Sequence, residues 1–404
     1  MKTLKIKPAF RIILTCVFFL LITAFHGSAA EIDDGLSKCA AIKDNNDARL
    51  QCFDELAKKR IPAQEAVVAN PAEKTVEQKS AAVSQTKQET SPAPVSVMEK
   101  YWDLVTTNRL HSFALRPYRS NYFLPVAYNS SPNDETNLEY DPHAKAQFNE
   151  AKFQLSFKAK IWEDFLQEPL QALQDVWGKD KPVKGLDLWI GYTQLSFWQF
   201  YNSAFSSPFR DTNYEPEGIL NIRTQYEIPG LMGTKLQFIN VGFNHQSNGR
   251  SKPLSRSWNR IVANFGLEKL LGTEKKDSFN ILLKTWYRLP EDEANDDNPD
   301  ITRYMGYGEL WATLYLKDMR FAAMLRNNFR QENLGAIQLE WSIPPSSFGK
   351  LLPDLLISPE WADKYLTDKF SLYFQYFNGY GEGLMDYNKS INRFCVGFMI
   401  AEWN

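Results

Sequence analysis

The sequence has few of the residues that usually mark a site. Histidine and cysteine number four each in 404 residues, and 46 Lys and Arg stand against 48 Asp and Glu. Long apolar runs are also missing. Only Ile12 to Phe25 could form a hydrophobic helix, and it lies at the N-terminus. It follows the basic residues Lys2, Lys5, Lys7 and Arg11 and precedes the small residues Ser28 and Ala30. That order is the layout of a secretory signal peptide, residues 1–30, cleaved before Glu31. The rival is an uncleaved anchor helix, but the core falls short of the ~20 residues a span needs. Cys16 lies inside the core rather than after it, which speaks against a lipoprotein signal. Losing the four basic residues takes the formal charge from −2 to −6. A generally basic nucleic-acid binder is excluded, and no nucleic-acid partner is expected.

Two cysteines, Cys39 and Cys52, remain early in the mature chain. Export places them in an oxidising compartment, so a disulfide is one reading and two free thiols the other. The surrounding "SKCAAIKDNNDARLQCFDELAKK" looks like two short helices. A hairpin of that size, residues 31–59, needs a staple to be stable. Residues 60–97 contain no aromatic residue and no regular apolar period. They read as a flexible, disordered linker. Cys395 has no obvious partner, and His111 and His143, without ligand-type spacing, read as structural.

From Met98 to the end, residues 98–404, the pattern changes to period two. In "KFQLSFKAKIW", Phe153, Leu155, Phe157, Ala159 and Ile161 alternate with polar residues, and "LNIRTQYEI", "GELWATLYLK", "GAIQLEWSI", "FSLYFQY" and "RFCVGFMI" repeat the pattern. Strict alternation means β-strands with one apolar and one polar face. A soluble sandwich alternates too. The exported chain, the strands of about ten residues with no helical pattern between them, and a polar face rich in Lys, Arg, Glu and Gln favour an outer-membrane barrel. Tyr101, Trp102, Tyr192, Trp198, Tyr201, Trp286, Tyr287 and Trp403 fall near strand ends, as interfacial girdles do. The length suits roughly twelve strands, and closure removes the exposed edges.

One histidine stands out. In "QFINVGFNHQSNGRSKPLSRSWNR", Ile239, Val241 and Phe243 share parity with His245 and Ser247. On the next strand Asn259 shares parity with Ile261, Ala263 and Phe265. Same-face neighbours on an antiparallel pair lie ~5 Å apart, so a His, Ser and Asn cluster on the lipid-facing wall is available. A serine needs a general base, and the base needs a third group to fix its tautomer. Asn can orient an imidazole but, being uncharged, stabilises imidazolium less than Asp. By spacing alone a polar rim with a surface histidine is the favoured reading.

The string "HQSNGRSKPLSRSWNR" resembles the signature of the outer membrane phospholipase A family, His-x-Ser-Asn-Gly followed by Ser-Arg-Ser-Trp-Asn-Arg. "GYTQLSFWQ", "SSPFRDTNYEPE", "DDNPDITRYMGYGEL" and "GYGEGLMDYN" agree with it, so the resemblance runs from about Arg116 to the end. It implies a twelve-stranded antiparallel transmembrane β-barrel in the outer membrane, with the N-terminal segment periplasmic. It implies hydrolysis of phospholipid acyl esters (A1, A2 and lysophospholipase activity) with Ser247 as nucleophile, His245 as base, Asn259 as orienting residue and the Gly249 N–H in the oxyanion hole. It further implies calcium (Ca2+) held between the subunits of an active homodimer. The Arg250 carbonyl and Ser255 hydroxyl would come from one subunit and the Ser206 hydroxyl from the other, with Gln194 at the dimer interface.

Lys252 departs from the family pattern, which carries an acid at that position. A cation there opposes a calcium site confined to one subunit. The C-terminal "AEWN" departs too, with Trp403 penultimate instead of a final aromatic residue. "PEDEANDDNPD", with six acids from Glu291 to Asp300, reads as a solvated loop on the side of the site. The alternative to an enzyme is a porin or structural barrel, which has no need of Ser247, His245 and Asn259 together.

Overall fold

The computed structural model describes residues 96–400, apart from 106–108, 111, 135–144, 178–181, 205, 208, 273–276, 317, 346 and 348–369, together with residues 51 and 52. The signal segment, most of the hairpin including Cys39, the linker up to residue 95, His111, His143 and Trp403 lie outside the described residues. Cys52 is disulfide-bonded.

Thirteen strands are described, all in one sheet: β1 (Leu115–Pro117), β2 (Asn121–Asn129), β3 (Asn149–Trp162), β4 (Gly185–Trp198), β5 (Asp211–Glu227), β6 (Lys235–Ser247), β7 (Ser257–Leu271), β8 (Asp277–Arg288), β9 (Gly308–Leu316), β10 (Met319–Asn327), β11 (Gly335–Ile343), β12 (Phe370–Gly379) and β13 (Ile391–Ile400). Every pairing is antiparallel, β2 pairs with β13, and β3 with β4, so the sheet closes on itself. β1 and β2 both lie against β3, with Leu115 opposite Ala159 and Tyr122 opposite Gln154. They are two pieces of one wall position. The barrel therefore has twelve positions, as the alternation implies. At the break, Asn121 Nδ2 donates to the Ser156 carbonyl and the Ser156 N–H to Asn121 Oδ1. These side-chain bonds replace ladder bonds that a membrane would leave unmade.

Alternation sorts the residues as read. Phe123, Phe157, Ile190, Phe243, Leu283 and Phe398 are exposed on the outer wall, while Glu150, Lys152, Lys158 and Arg393 are buried in the lumen. The core is thus polar and the surface apolar, the reverse of a soluble domain. Arg393 reaches Glu150 at 2.5 Å and Glu382 at 2.7 Å, Lys152 reaches Glu382 at 2.8 Å, and Arg210 bridges Glu150 and Asp386. Buried charges survive only in such paired sets. A cavity of about 320 Å³ remains, lined by Arg119, Lys284, Glu309 and Arg326 among others.

Three expectations are corrected. The barrel is not free of helices: α1 (Val97–Trp102), α2 (Gln167–Trp177) and α3 (Ile301–Met305) are present. Ser96 caps α1 by accepting from the Glu99 N–H at 3.0 Å and also binds Glu268. Second, Trp102 and Trp286 do not belong to an outer aromatic girdle. Trp102, on α1, packs against Tyr118, Trp189 and Phe238, and Lys158 Nζ lies 3.4 Å from its ring centroid. Trp286 is buried near Trp258. Tyr201 and Tyr287 are exposed, as expected. Third, the alternation in "LNIRTQYEI" breaks. The β5–β6 register shifts between Arg223 and Tyr226, Gln225 takes a positive φ of 46°, and Ile228 lies past the strand end. An extra residue in one strand of a pair makes such a bulge and resets the period.

Candidate active site

The site lies where β6 ends and β7 begins. The register sets His245 opposite Asn259 and Ser247 opposite Ser257. All are half-buried on the outer wall, in line with the exposed Phe243 and Ile261. His245 Nδ1 and Asn259 Oδ1 are 2.8 Å apart. An amide oxygen only accepts, so Nδ1 carries the proton and Nε2 is left with a free lone pair. The pair is thus set as a base-and-orienter, with Ser247 two residues along the same face.

The lumen side of the same strands holds them rigid. Asn244 and Trp258 are fully buried, and the Arg260 guanidinium donates to Asn244 Oδ1 at 2.5 Å, Gln246 Oε1 at 3.2 Å and Glu215 Oε1 at 3.0 Å. The Trp258 indole N–H donates to Gln246 at 2.8 Å. Above this lattice sit α3 and the loop between β12 and β13. Ile301, Met305, Leu384 and Tyr387 pack with Trp258 and Trp286, and the Tyr387 hydroxyl donates to Asp300 at 2.5 Å. The matched strings "DDNPDITRYMGYGEL" and "GYGEGLMDYN" supply this packing, so their work is to seat β6 and β7 from behind.

The loop from Asn248 to Arg256 is built around Asn248, to which sequence reasoning gave no role. Its Oδ1 accepts from the N–H groups of Arg250 and Arg256, and its Nδ2 donates to the Leu254 carbonyl. Arg250 and Ser255 are thereby fixed on one short turn. Gly249 has φ of 65°, and a Cβ there would stand 3.1 Å from the Tyr214 ring. The conformation turns the chain directly after Ser247 and Asn248 and suits glycine. The Arg250 guanidinium donates to the carbonyls of Phe209 and Arg210, tying this turn to the β4–β5 loop that carries Ser206. The Ser206 carbonyl accepts from the Trp198 indole at 2.7 Å. Lys252 turns its ammonium to the acidic loop, 2.8 Å from the Ala294 carbonyl and 3.4 Å from Asp297. That contact accounts for its charge. Among the described residues no cluster of three or more His, Cys, Asp or Glu side chains could hold a metal. A site built from the Arg250 carbonyl and the Ser255 hydroxyl uses neutral oxygens, which suit a hard cation that keeps its waters.

Gln194 projects outward from β4, half-buried. It accepts from the Tyr192 hydroxyl and donates to Ser196 Oγ, each at 3.2 Å. The expectation of an amide unpaired within its own chain is therefore corrected. One N–H and one lone pair are left over.

A family model described as Phospholipase A1 matches residues 98–400, nearly the whole barrel. The chain belongs to the phospholipase A1 family. Phospholipase A1 of Escherichia coli (strain K12) is 35% identical over 290 residues, which cover 72% of this chain and 82% of that protein. Two solved structures are similar. Outer membrane phospholipase A from Escherichia coli, as an asparagine-to-alanine active-site mutant, has a TM-score of 0.59 and 32% identity over 76% of this chain and 99% of its own. The Salmonella typhi outer membrane phospholipase, a dimer with bound calcium, has a TM-score of 0.57 and 33% identity over 73% and 95%. As a phospholipase A1 family member the chain is a phospholipase of the outer membrane, which agrees with its twelve-position barrel.

Proposed function

We propose that the enzyme hydrolyses phospholipid acyl esters through Ser247, His245 and Asn259. Ser247 Oγ attacks the ester carbonyl while His245 Nε2 takes its proton. Asn259 Oδ1 holds the Nδ1–H, and the Gly249 N–H donates to the oxyanion. His245 then returns the proton to the departing glycerol oxygen, leaving an acyl-Ser247. Water, deprotonated by the same nitrogen, releases the fatty acid and restores the serine. The 2.8 Å contact between His245 Nδ1 and Asn259 Oδ1, on the lipid-facing wall, carries this reading. The asparagine active-site mutant of the Escherichia coli enzyme supports it.

Calcium is proposed at the Arg250 carbonyl and the Ser255 hydroxyl of one subunit, completed by Ser206 of the partner subunit. When bound it would supply positive charge beside the ester carbonyl. The shared turn built by Asn248 and the calcium-bound dimer of the Salmonella typhi protein support this arrangement. The activating homodimer is proposed to form through the outer face of β4, where the spare hydrogen-bonding capacity of Gln194 can meet the partner's Gln194.

Residues 1–30 are proposed as a cleaved signal, 31–59 as a periplasmic hairpin and 60–97 as a linker ending in α1. The test is release of fatty acid from micellar phospholipid, with and without chelator. A folded Ser247→Ala barrel that keeps calcium-dependent activity defeats the mechanism. The porin alternative finds no support in a lumen crossed by the Arg393–Glu150 and Lys152–Glu382 pairs.

A further inference from the structure

We propose that Glu291 is a positioning residue for the reaction, a fourth member behind Ser247, His245 and Asn259. The inference rests on the triad reading above. Glu291 Oε1 accepts from Asn259 Nδ2 at 3.1 Å, while Oδ1 of the same amide faces His245 Nδ1 at 2.8 Å. The three side chains form one hydrogen-bonded line from carboxylate to amide to imidazole.

The backbone explains how an acid from a loop arrives there. The β7–β8 ladder does not stop at the Arg260–Arg288 pair, because the Leu289 N–H donates to the Asn259 carbonyl at 2.8 Å. Glu291 continues the parity of the outward Tyr287 and of Leu289, so it shares the face of Asn259. The loop is then fastened near by. Arg288 pairs with Asp296 at 2.6 Å, and the Ser257 N–H donates to Asn298 Oδ1 at 2.9 Å. Lys252 bonds the Ala294 carbonyl from the other side. The residue that departs from the family signature thus helps to hold the loop that carries Glu291.

The chemistry gives the contact a purpose. An Asn amide can sit in either of two flips, and only one presents Oδ1 to the imidazole. A carboxylate accepts and does not donate, so it holds Nδ2 to itself and selects that flip. It also places a negative charge one group beyond an uncharged orienting residue. Part of what an Asp in that place would contribute to the imidazolium is thereby restored.

The experiment uses the full-length protein in detergent micelles with calcium, measuring kcat and KM for Glu291→Ala, Glu291→Gln and Glu291→Asp. Folding is confirmed by the heat-dependent gel shift of the barrel. Glu291→Ala should lower kcat about tenfold, the size of a lost charge-assisted hydrogen bond, with KM within about twofold. Glu291→Asp should recover part of the loss. In an Asn259→Ala background, Glu291→Ala should cost less than about twofold, because the line is already cut. Glu293→Gln, which removes the same charge from the exposed part of the loop, should leave kcat unchanged. An unchanged kcat in Glu291→Ala overturns the proposal, and so does full additivity with Asn259→Ala. A matching loss in Glu293→Gln also overturns it, by assigning the effect to loop charge. Ser247→Ala in the same assay separates the two readings: activity there removes the triad itself, whereas inactivity there with a silent Glu291→Ala removes only Glu291.

Discussion

The imidazole of His245 and the amide of Asn259 face each other across the β6–β7 pair, Nδ1 to Oδ1, at 2.8 Å. The contact fixes which nitrogen of His245 can act as a base, and it is made on the wall that touches lipid. A substrate in the bilayer reaches it without entering the lumen. The lumen is given over to support, with Arg260 bonded to Asn244, Gln246 and Glu215 directly behind the site.

Removing the orienting group should slow chemistry and spare binding. Asn259→Ala is expected to lower kcat by about 10²-fold, in the range that positioned acid–base catalysis contributes. Asn259→Asp should not act as an improvement here, because the new carboxylate would sit against Glu291, now 3.1 Å from the amide nitrogen. Two carboxylates at that distance raise one another's proton affinity and disorder the pair. Steady-state kinetics should find Asn259→Asp slow at neutral pH and faster in combination with Glu291→Gln.

The turn after the nucleophile depends on glycine. Gly249 has φ of 65°, with the Tyr214 ring 3.1 Å from where a Cβ would stand. Gly249→Ala therefore meets both backbone strain of about 1–2 kcal/mol and a crowded neighbour. The strain can be relieved by rotating the N–H away from its aim. Activity should fall by about 10²-fold or more, the usual effect of a lost oxyanion donor. The barrel melting temperature should move little. A melting shift as large as the activity loss would place the role of Gly249 in folding instead.

The charged lumen predicts a separate class of variant. Glu150 joins Arg210 at 2.9 Å and Arg393 at 2.5 Å, all buried. Glu150→Gln leaves two guanidinium groups short of a partner, and truncating a buried pair costs about 3–5 kcal/mol. The heat-modified gel shift should move to lower temperature, while protein still folded keeps its kcat. Glu382, in the loop between β12 and β13, adds an acid dependence. Burial alone would raise its carboxyl, but Arg393 and Lys152 outweigh that and hold it below its usual range. A lowered folded value means that its contribution is present above the unfolded carboxylate range and is lost as pH falls through the folded value. Stability should therefore drop on acidification, and by less in Glu382→Gln. Urea midpoints taken across the acid range would check the sign.

Much of the wall was legible because a barrel between lipid and a polar lumen imposes period two on nearly every strand. Parity through Phe243 was enough to put His245 and Ser247 outside. What stayed hidden depends on tertiary contact. Six residues make α1, too few for a helical period to show, and the segment forms because Trp102 finds Trp189, Tyr118 and Phe238 inside the barrel end. The bulge at Gln225 has no glycine to announce it. Glu291 was lost among six acids and read as solvated. Carrying the parity of Tyr287 past Pro290 would have found it. Lys252 could be read only as repelling an ion until Ala294 and Asp297 were seen to take its charge.

That placement makes Lys252 a test of the proposed calcium site. If the ion sits at the Arg250 carbonyl and the Ser255 hydroxyl, Ser255→Ala should raise the calcium needed for half-maximal activity by about tenfold, the lower end of what altered metal surroundings cost. Saturating calcium should restore most of kcat, since Ser255 touches the ion and not the ester. Lys252→Asp should act in the opposite direction on affinity. It replaces a cation by an anion near the turn, and at 4 Å each charge is worth about 1 kcal/mol even in water. The same change removes the bond to the Ala294 carbonyl, so the loop bearing Glu291 should loosen. Calcium titration of Lys252→Asp should therefore show tighter activation together with a lower plateau. A rise in required calcium would mean that Lys252 does not face the ion, and that the turn from Arg250 to Ser255 holds calcium in another way.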